Sequence, residues 1–237
     1  MTRPVDAEIR AGEILQRGLF SGHEQIGAAL MTKISEWARF DAYLVGLLAT
    51  MLKTERSAAM AMFVAANNQG AQKDMVIAAA RATLEPDDFE LLERVFKKVA
   101  PLRKQRNKIA HSVWLRHPSL SHELICADPI AIGTYQGHHA DAMRGPKTGQ
   151  PLPISGLEGA RIWDEADAIL AAEHAMHATI GIQHFWTYLM LGRNDFEEVD
   201  AILPRRINFR TEVESWVQFI LPTKTQIKER LNSGENL

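Results

Sequence analysis

Apolar residues recur along most of this chain at the three- and four-residue spacing of one helical face. Ile26, Leu30, Ile34, Trp37, Leu44, Leu48 and Met51 step in that rhythm and predict a long helix from about His23 to Lys53. Phe40, Tyr43 and Leu47 widen its apolar face, as expected of a helix packed on two sides. Residues 54–67 are rich in alanine and methionine (Ala58, Met60, Met62, Ala65), which suits a tight helix crossing, and a turn follows over 67–70. Helix resumes from Gln72 to Leu84. Pro86, Asp87 and Asp88 then open the next helix, with proline and acids in its first turn. Its seam runs through Phe89, Leu92, Phe96, Val99, Leu102, Ile109 and Val113, and Pro101 is expected to kink or restart it.

Beyond Trp114 the period changes. Glu123–Ala127 and Ile130–Tyr135 are short runs around Asp128 and Pro129 that predict a small β-hairpin. Residues 137–159 hold glycines, prolines and the pair His138 and His139, and are expected to form a long surface loop. A second long helix is expected from about Trp163 to Leu191, apolar nearly all round in its second half, and that pattern predicts burial in the core or against a second copy. One short apolar segment follows Pro204. At the N-terminus, Pro4 to Leu19 predicts a short amphipathic helix on Val5, Ile9 and Leu15. The fold class expected is all-α: a helical bundle of about five main helices with a small β-hairpin and loop insertion, over about 117–160, between the fourth and fifth. Residues 1–222 are expected to form a single domain, and 223–237 a loose tail.

Composition changes this picture little. The chain is 46% hydrophobic and 24% charged, ordinary for a globular protein and unlike a disordered one. A net charge of -2 means that any attraction to nucleic acid must come from a local patch. The lone Cys126 excludes an internal disulfide and a multi-cysteine metal cluster. Acids among the first residues argue against a signal peptide, and no run is long enough to span a bilayer. A soluble, cytoplasmic protein without membrane attachment is expected.

One stretch departs from this background. Between Arg94 and His111 lie seven basic residues and no acidic one. The seam needs an apolar residue between Leu102 and Ile109, and the chain places Arg106 there. A guanidinium on an apolar stripe must be paired, snorkel to water, or sit at an interface. His111 follows five residues later. Imidazole is the usual general acid or base near neutral pH, and a guanidinium suits phosphate and the charge developing in a transition state. Asn107 can orient the imidazole. Together Arg106, Asn107 and His111 are candidates for metal-independent phosphodiester cleavage with an RNA 2′-hydroxyl as nucleophile. Arg103, Lys104, Lys108, Lys97 and Lys98 are the candidate phosphate-binding residues. At a five-residue spacing Arg106 and His111 point apart on one helix, so a single copy does not close them on one small atom unless the helix bends. The plainer reading is a helix whose acids lead and bases trail as its macrodipole favours, with a capping histidine and Arg106 in a structural ion pair.

The run from Arg106 to His111, with Asn107 directly after the arginine and Ser112 and Trp114 beyond, resembles the signature of the HEPN superfamily. In that family an arginine, a polar residue, a few more residues and a histidine lie near the end of a bundle helix. The resemblance covers six to ten residues as a motif and about Met31 to Leu191 as an architecture. It implies a face-to-face homodimer in which Arg106 and His111 of both protomers converge in a basic cleft. It also implies a metal-independent endoribonuclease without cofactor, of the kind found in toxin–antitoxin and anti-phage systems, with an antitoxin or defence partner. The alternative it carries is a catalytically inactive module that binds RNA, a nucleotide or a protein. Elsewhere Glu173, His177 and His184 share a helical stripe beside His174. That spacing can be imagined as a metal site, but a core-like helix favours structural histidines.

Overall fold

The computed structural model describes residues 2–4, 20–117, 120–134, 159–193 and 199–234. Helices dominate: α1 (Glu24–Leu52), α2 (Arg56–Ala65), α3 (Gln69–Thr83), α4 (Pro86–Ala110), α5 (residues 129–134), α6 (Glu165–Arg193), α7 (Val199–Gln218) and α8 (Lys224–Ser233). The strands are β1 (Arg3–Pro4), β2 (Val113–Leu115), β3 (Leu124–Ala127) and β4 (Arg161–Trp163). The fold is therefore mainly α, with a small antiparallel sheet inserted between long helices. Among the described residues no helix is long and apolar enough to cross a membrane.

The chain packs as two compact units. Unit 1 holds residues up to Ile34, Lys104–Glu173 and Pro222 onward, and unit 2 holds Ser35–Arg103 and His174–Leu221. Three of the boundaries fall inside α1, α4 and α6, and the fourth in the short stretch between α7 and α8.

Unit 1 is built around the sheet, in the order β1-β4-β3-β2 and antiparallel throughout. Trp114 pairs with Cys126 and Ile125 with Ile162. One layer of core joins Ile26, Leu30, Ile109, Leu124, Cys126 and Trp163 to the alanines Ala168, Ala171 and Ala172, whose small side chains let α6 lie close. Another gathers Leu115, Ile125, Ile132 and Ile162. Unit 2 is an all-helical core of Phe40, Leu44, Leu48, Phe63, Val76, Leu92, Phe96, Ile182, Phe185 and Trp216. Gly181 is required there, because a Cβ would lie 2.5 Å from the indole of Trp216.

Several expectations are corrected. Residues 129–134 do not form the second strand of a hairpin; they are helical. Asp128 accepts the Ile130 N–H on Oδ1 at 2.8 Å and the Ile132 N–H on its carbonyl at 3.1 Å, and Pro129 sits where a first helical turn tolerates it. β3 pairs instead with β2 and β4. Trp163 closes β4 rather than opening a helix. Asp164 starts α6, accepting the Asp167 N–H at 2.9 Å while the Asp167 carboxylate takes the Asp164 N–H at 3.2 Å. Pro101 and Pro204 lie inside α4 and α7 on exposed positions, where the missing N–H costs least. The loose tail is a helix: Thr223 and Gln226 form a capping box, and Gly234 ends α8 in the left-handed conformation. Lys224 reaches Asp167 at 2.6 Å and Asp164 at 3.0 Å, while Arg230 grips Glu173 at 2.7 Å. Of the expected N-terminal helix only Pro4 is described, and it is a strand residue; Val5–Leu19 lie outside the described residues. So does the loop bearing His138 and His139, apart from Gly159.

Candidate functional site

Ile109 fixes the end of α4. It is 5% exposed in the core of unit 1, and that anchor turns Lys104, Lys108 and His111 toward solvent. The helix then gives way to a strand within two residues. The His111 N–H still bonds the Asn107 carbonyl at 3.2 Å, and the Ser112 hydroxyl donates back to the Lys108 carbonyl. Val113 and Trp114 then enter β2, which suits their β-branched and aromatic side chains. His111 thus occupies an exposed helix-to-strand turn, where an imidazole can exchange protons with solvent.

Arg106 is half-buried. Its Nη1 donates to the Asn107 side-chain oxygen at 3.1 Å. Among the described residues no carboxylate pairs with it, so the ion pair that a purely structural arginine needs is absent there. No hydrogen bond joins Arg106 to His111 among the described residues, in keeping with their five-residue separation. The polar residue between them orients the guanidinium by its side chain and touches His111 only through the backbone.

The remaining basic candidates separate by role. In unit 2 Arg103 bonds Asp41 at 2.9 Å, with its guanidinium over the Phe40 ring at 5.6 Å. Lys98 caps the end of α7, donating to the carbonyls of Trp216, Val217 and Phe219, and burial lowers its pKa. Both are engaged in packing their own unit. Lys97 is exposed on α4 in unit 2, and in unit 1 Lys104 and Lys108 flank the motif as exposed cations.

The histidines of α6 have separate neighbours. His177 stacks on Phe219 at 4.9 Å, and His184 Nδ1 lies 3.3 Å from the Glu212 carboxylate. Glu173 is taken by Arg230. Among the described residues no group of three or more potential ligands is placed to hold a metal. The apolar girth of α6 is met within the chain: Ile182, Phe185 and Leu189 are all buried in unit 2. That pattern therefore loses its force as an argument for a second copy.

A residue the periodicity missed lies beside the motif. Lys33 of α1 is 1% exposed, and its Nζ is 3.4 Å from the Oε1 of Gln105, the neighbour of Arg106. Burial drags its pKa from 10.5 to about 7, with Cys126 a small opposing influence. Burial in turn pushes the Cys126 thiol up, against the Ser112 hydroxyl and the Lys108 and Lys33 ammonium groups. Lys33 lies seven residues after Ile26 and three after Leu30, both buried, whereas Ile34, four after Leu30 and equally in rhythm, is 44% exposed. The seam of α1 passes through the lysine. No family model, no curated protein and no solved structure matches this chain.

Proposed function

We propose that this chain is a metal-independent endoribonuclease of the HEPN type, acting as a homodimer in which Arg106 and His111 of two copies share one cleft. The observation that carries the reading is Arg106: a half-buried guanidinium on an apolar seam, held by Asn107, with no carboxylate partner among the described residues. A cation left in that state is suited to an anion that arrives from outside. The exposed His111 at the end of the same helix and the exposed Lys104 and Lys108 support it.

In this mechanism the His111 imidazole takes the proton of the ribose 2′-hydroxyl, and the 2′-oxygen attacks the adjacent phosphorus. The 5′-oxygen leaves with a proton returned by an imidazolium, and a 2′,3′-cyclic phosphate remains. Arg106 stabilises the charge that gathers on the non-bridging oxygens, while Lys104 and Lys108 hold the strand. Two copies are needed because one helix splays the pair. RNA as substrate implies work in the cytoplasm. A nuclease of this kind needs restraint by an antitoxin or defence partner.

The test is incubation of purified protein with total RNA in EDTA, beside a His111→Ala control. Cleavage by the wild type alone, leaving 2′,3′-cyclic phosphate ends, supports the reading. An intact substrate, or equal cleavage by the variant, refutes it.

A further inference from the structure

Unit 2 carries an open pocket of about 470 Å³ lined by the first turn of α4, by Tyr188 of α6 and by Arg206 and Arg210 of α7. That volume is within the range of about 300–1,000 Å³ usual for small-molecule sites. In its lining Asp88, 6% exposed, accepts the Tyr188 hydroxyl at 2.7 Å and Arg210 Nη1 at 3.0 Å. Arg206 is held differently. Its Nη2 is 3.9 Å from Asp88 and 3.4 Å from the Tyr188 oxygen, too long for strong bonds, and its guanidinium sits 5.0 Å from the Tyr188 ring centre. Gly192 leaves room for it, since a Cβ there would lie 2.5 Å from the Arg206 Cζ.

Two guanidiniums, each with five donors, thus share one buried carboxylate; among the described residues Arg210 alone of the two has a second acid, Glu214 at 3.1 Å. Beside them lies the first turn of α4, the positive end of its dipole, where the N–H groups of Asp87 and Asp88 have no acceptor within the helix. These groups suit a carboxylate. The same lining also carries the opposite charge. Glu85 and Asp87 are exposed lining residues, and among the described residues no cation pairs with either. A simple anion would meet three carboxylates in the lining, and a simple cation would meet two guanidiniums.

We infer that this pocket binds a zwitterion, a free α-amino acid, with its carboxylate on Arg206 and Arg210 and its ammonium on Glu85 and Asp87. The site is independent of the nuclease reading. The experiment is a thermal-shift screen of the full chain against the twenty amino acids at millimolar concentration, with inorganic phosphate and methylamine as single-charge probes. Calorimetric titration of the best amino acid follows. The expected result is a saturable rise in Tm with at least one amino acid and with neither single-charge probe. Arg206→Gln should weaken Kd at least tenfold, and so should Asp87→Asn, whose exposed side chain makes the variant safe for folding. No shift with any amino acid overturns the proposal. So does equal saturation by phosphate, or binding that survives in Asp87→Asn.

Discussion

Replacing Lys33 with methionine is expected to stabilise this protein, and by an amount that depends on pH. The folded lysine gives up its proton at about pH 7, whereas an unfolded one holds it to 10.5. Below pH 7 both states are charged and folding carries the whole cost of burying an ammonium. Between 7 and 10.5 the unfolded chain binds the extra proton, so wild-type stability climbs with pH; above 10.5 the cost has gone. At about 1.4 kcal/mol per pH unit the full interval is worth about 5 kcal/mol, of which about 4 applies at pH 7 and about 2 at pH 9. Methionine fills similar volume without a charge but strands the Gln105 amide oxygen, which costs about 1 kcal/mol. Lys33→Met should therefore exceed the wild type by about 3 kcal/mol at pH 7 and about 1 kcal/mol at pH 9. Urea unfolding of both proteins at the two pH values measures this. A variant less stable at both pH values, or an advantage that does not shrink between pH 7 and 9, refutes the reasoning.

His111→Ala should lower RNA cleavage by about 10²–10⁴-fold while RNA affinity in a filter-binding assay stays nearly intact, because proton transfer is lost and the phosphate contacts are not. Arg106→Ala should lower both, and Lys104→Ala should weaken binding alone, with a smaller dependence on salt. Arg106→Met should leave Tm unchanged or raise it, since no carboxylate among the described residues is stranded and the seam gains an apolar side chain; a fall of many degrees would restore the structural ion pair. Lys224→Ala leaves Asp164 and Asp167 with one cation fewer on two largely shielded carboxylates, and should cost about 2–4 kcal/mol in a urea melt. Native Lys224 together with Lys228 and the Asp167 N–H outweighs burial and holds Asp164 at about 2, so an unchanged melt would show the α8 contacts to be idle.

What the sequence determined by itself was the class of fold and most helices, because their evidence is local. Periodicity located α1 and α4 and Pro86 with two acids marked a start, but the seam expected to reach Val113 stops at Ala110, and Val113 already opens β2. The motif from Arg106 to His111 was legible for the same reason: an arginine on a seam is an anomaly visible in one dimension. Periodicity could not choose between Lys33 and Ile34, because adjacent positions differ by about 100° around a helix and only the packed partners show which is covered. The partners of β3 were likewise out of reach, since β4 lies more than thirty residues away in the chain, and so was the capping function of Lys98, whose acceptors are over a hundred residues downstream. The pocket is the extreme case. Asp88 meets Tyr188 and Arg210 across 100 and 122 residues, and each looks alone like ordinary helix surface or core. A charge arrangement of that kind is made by folding, because it depends on which distant side chains share one volume.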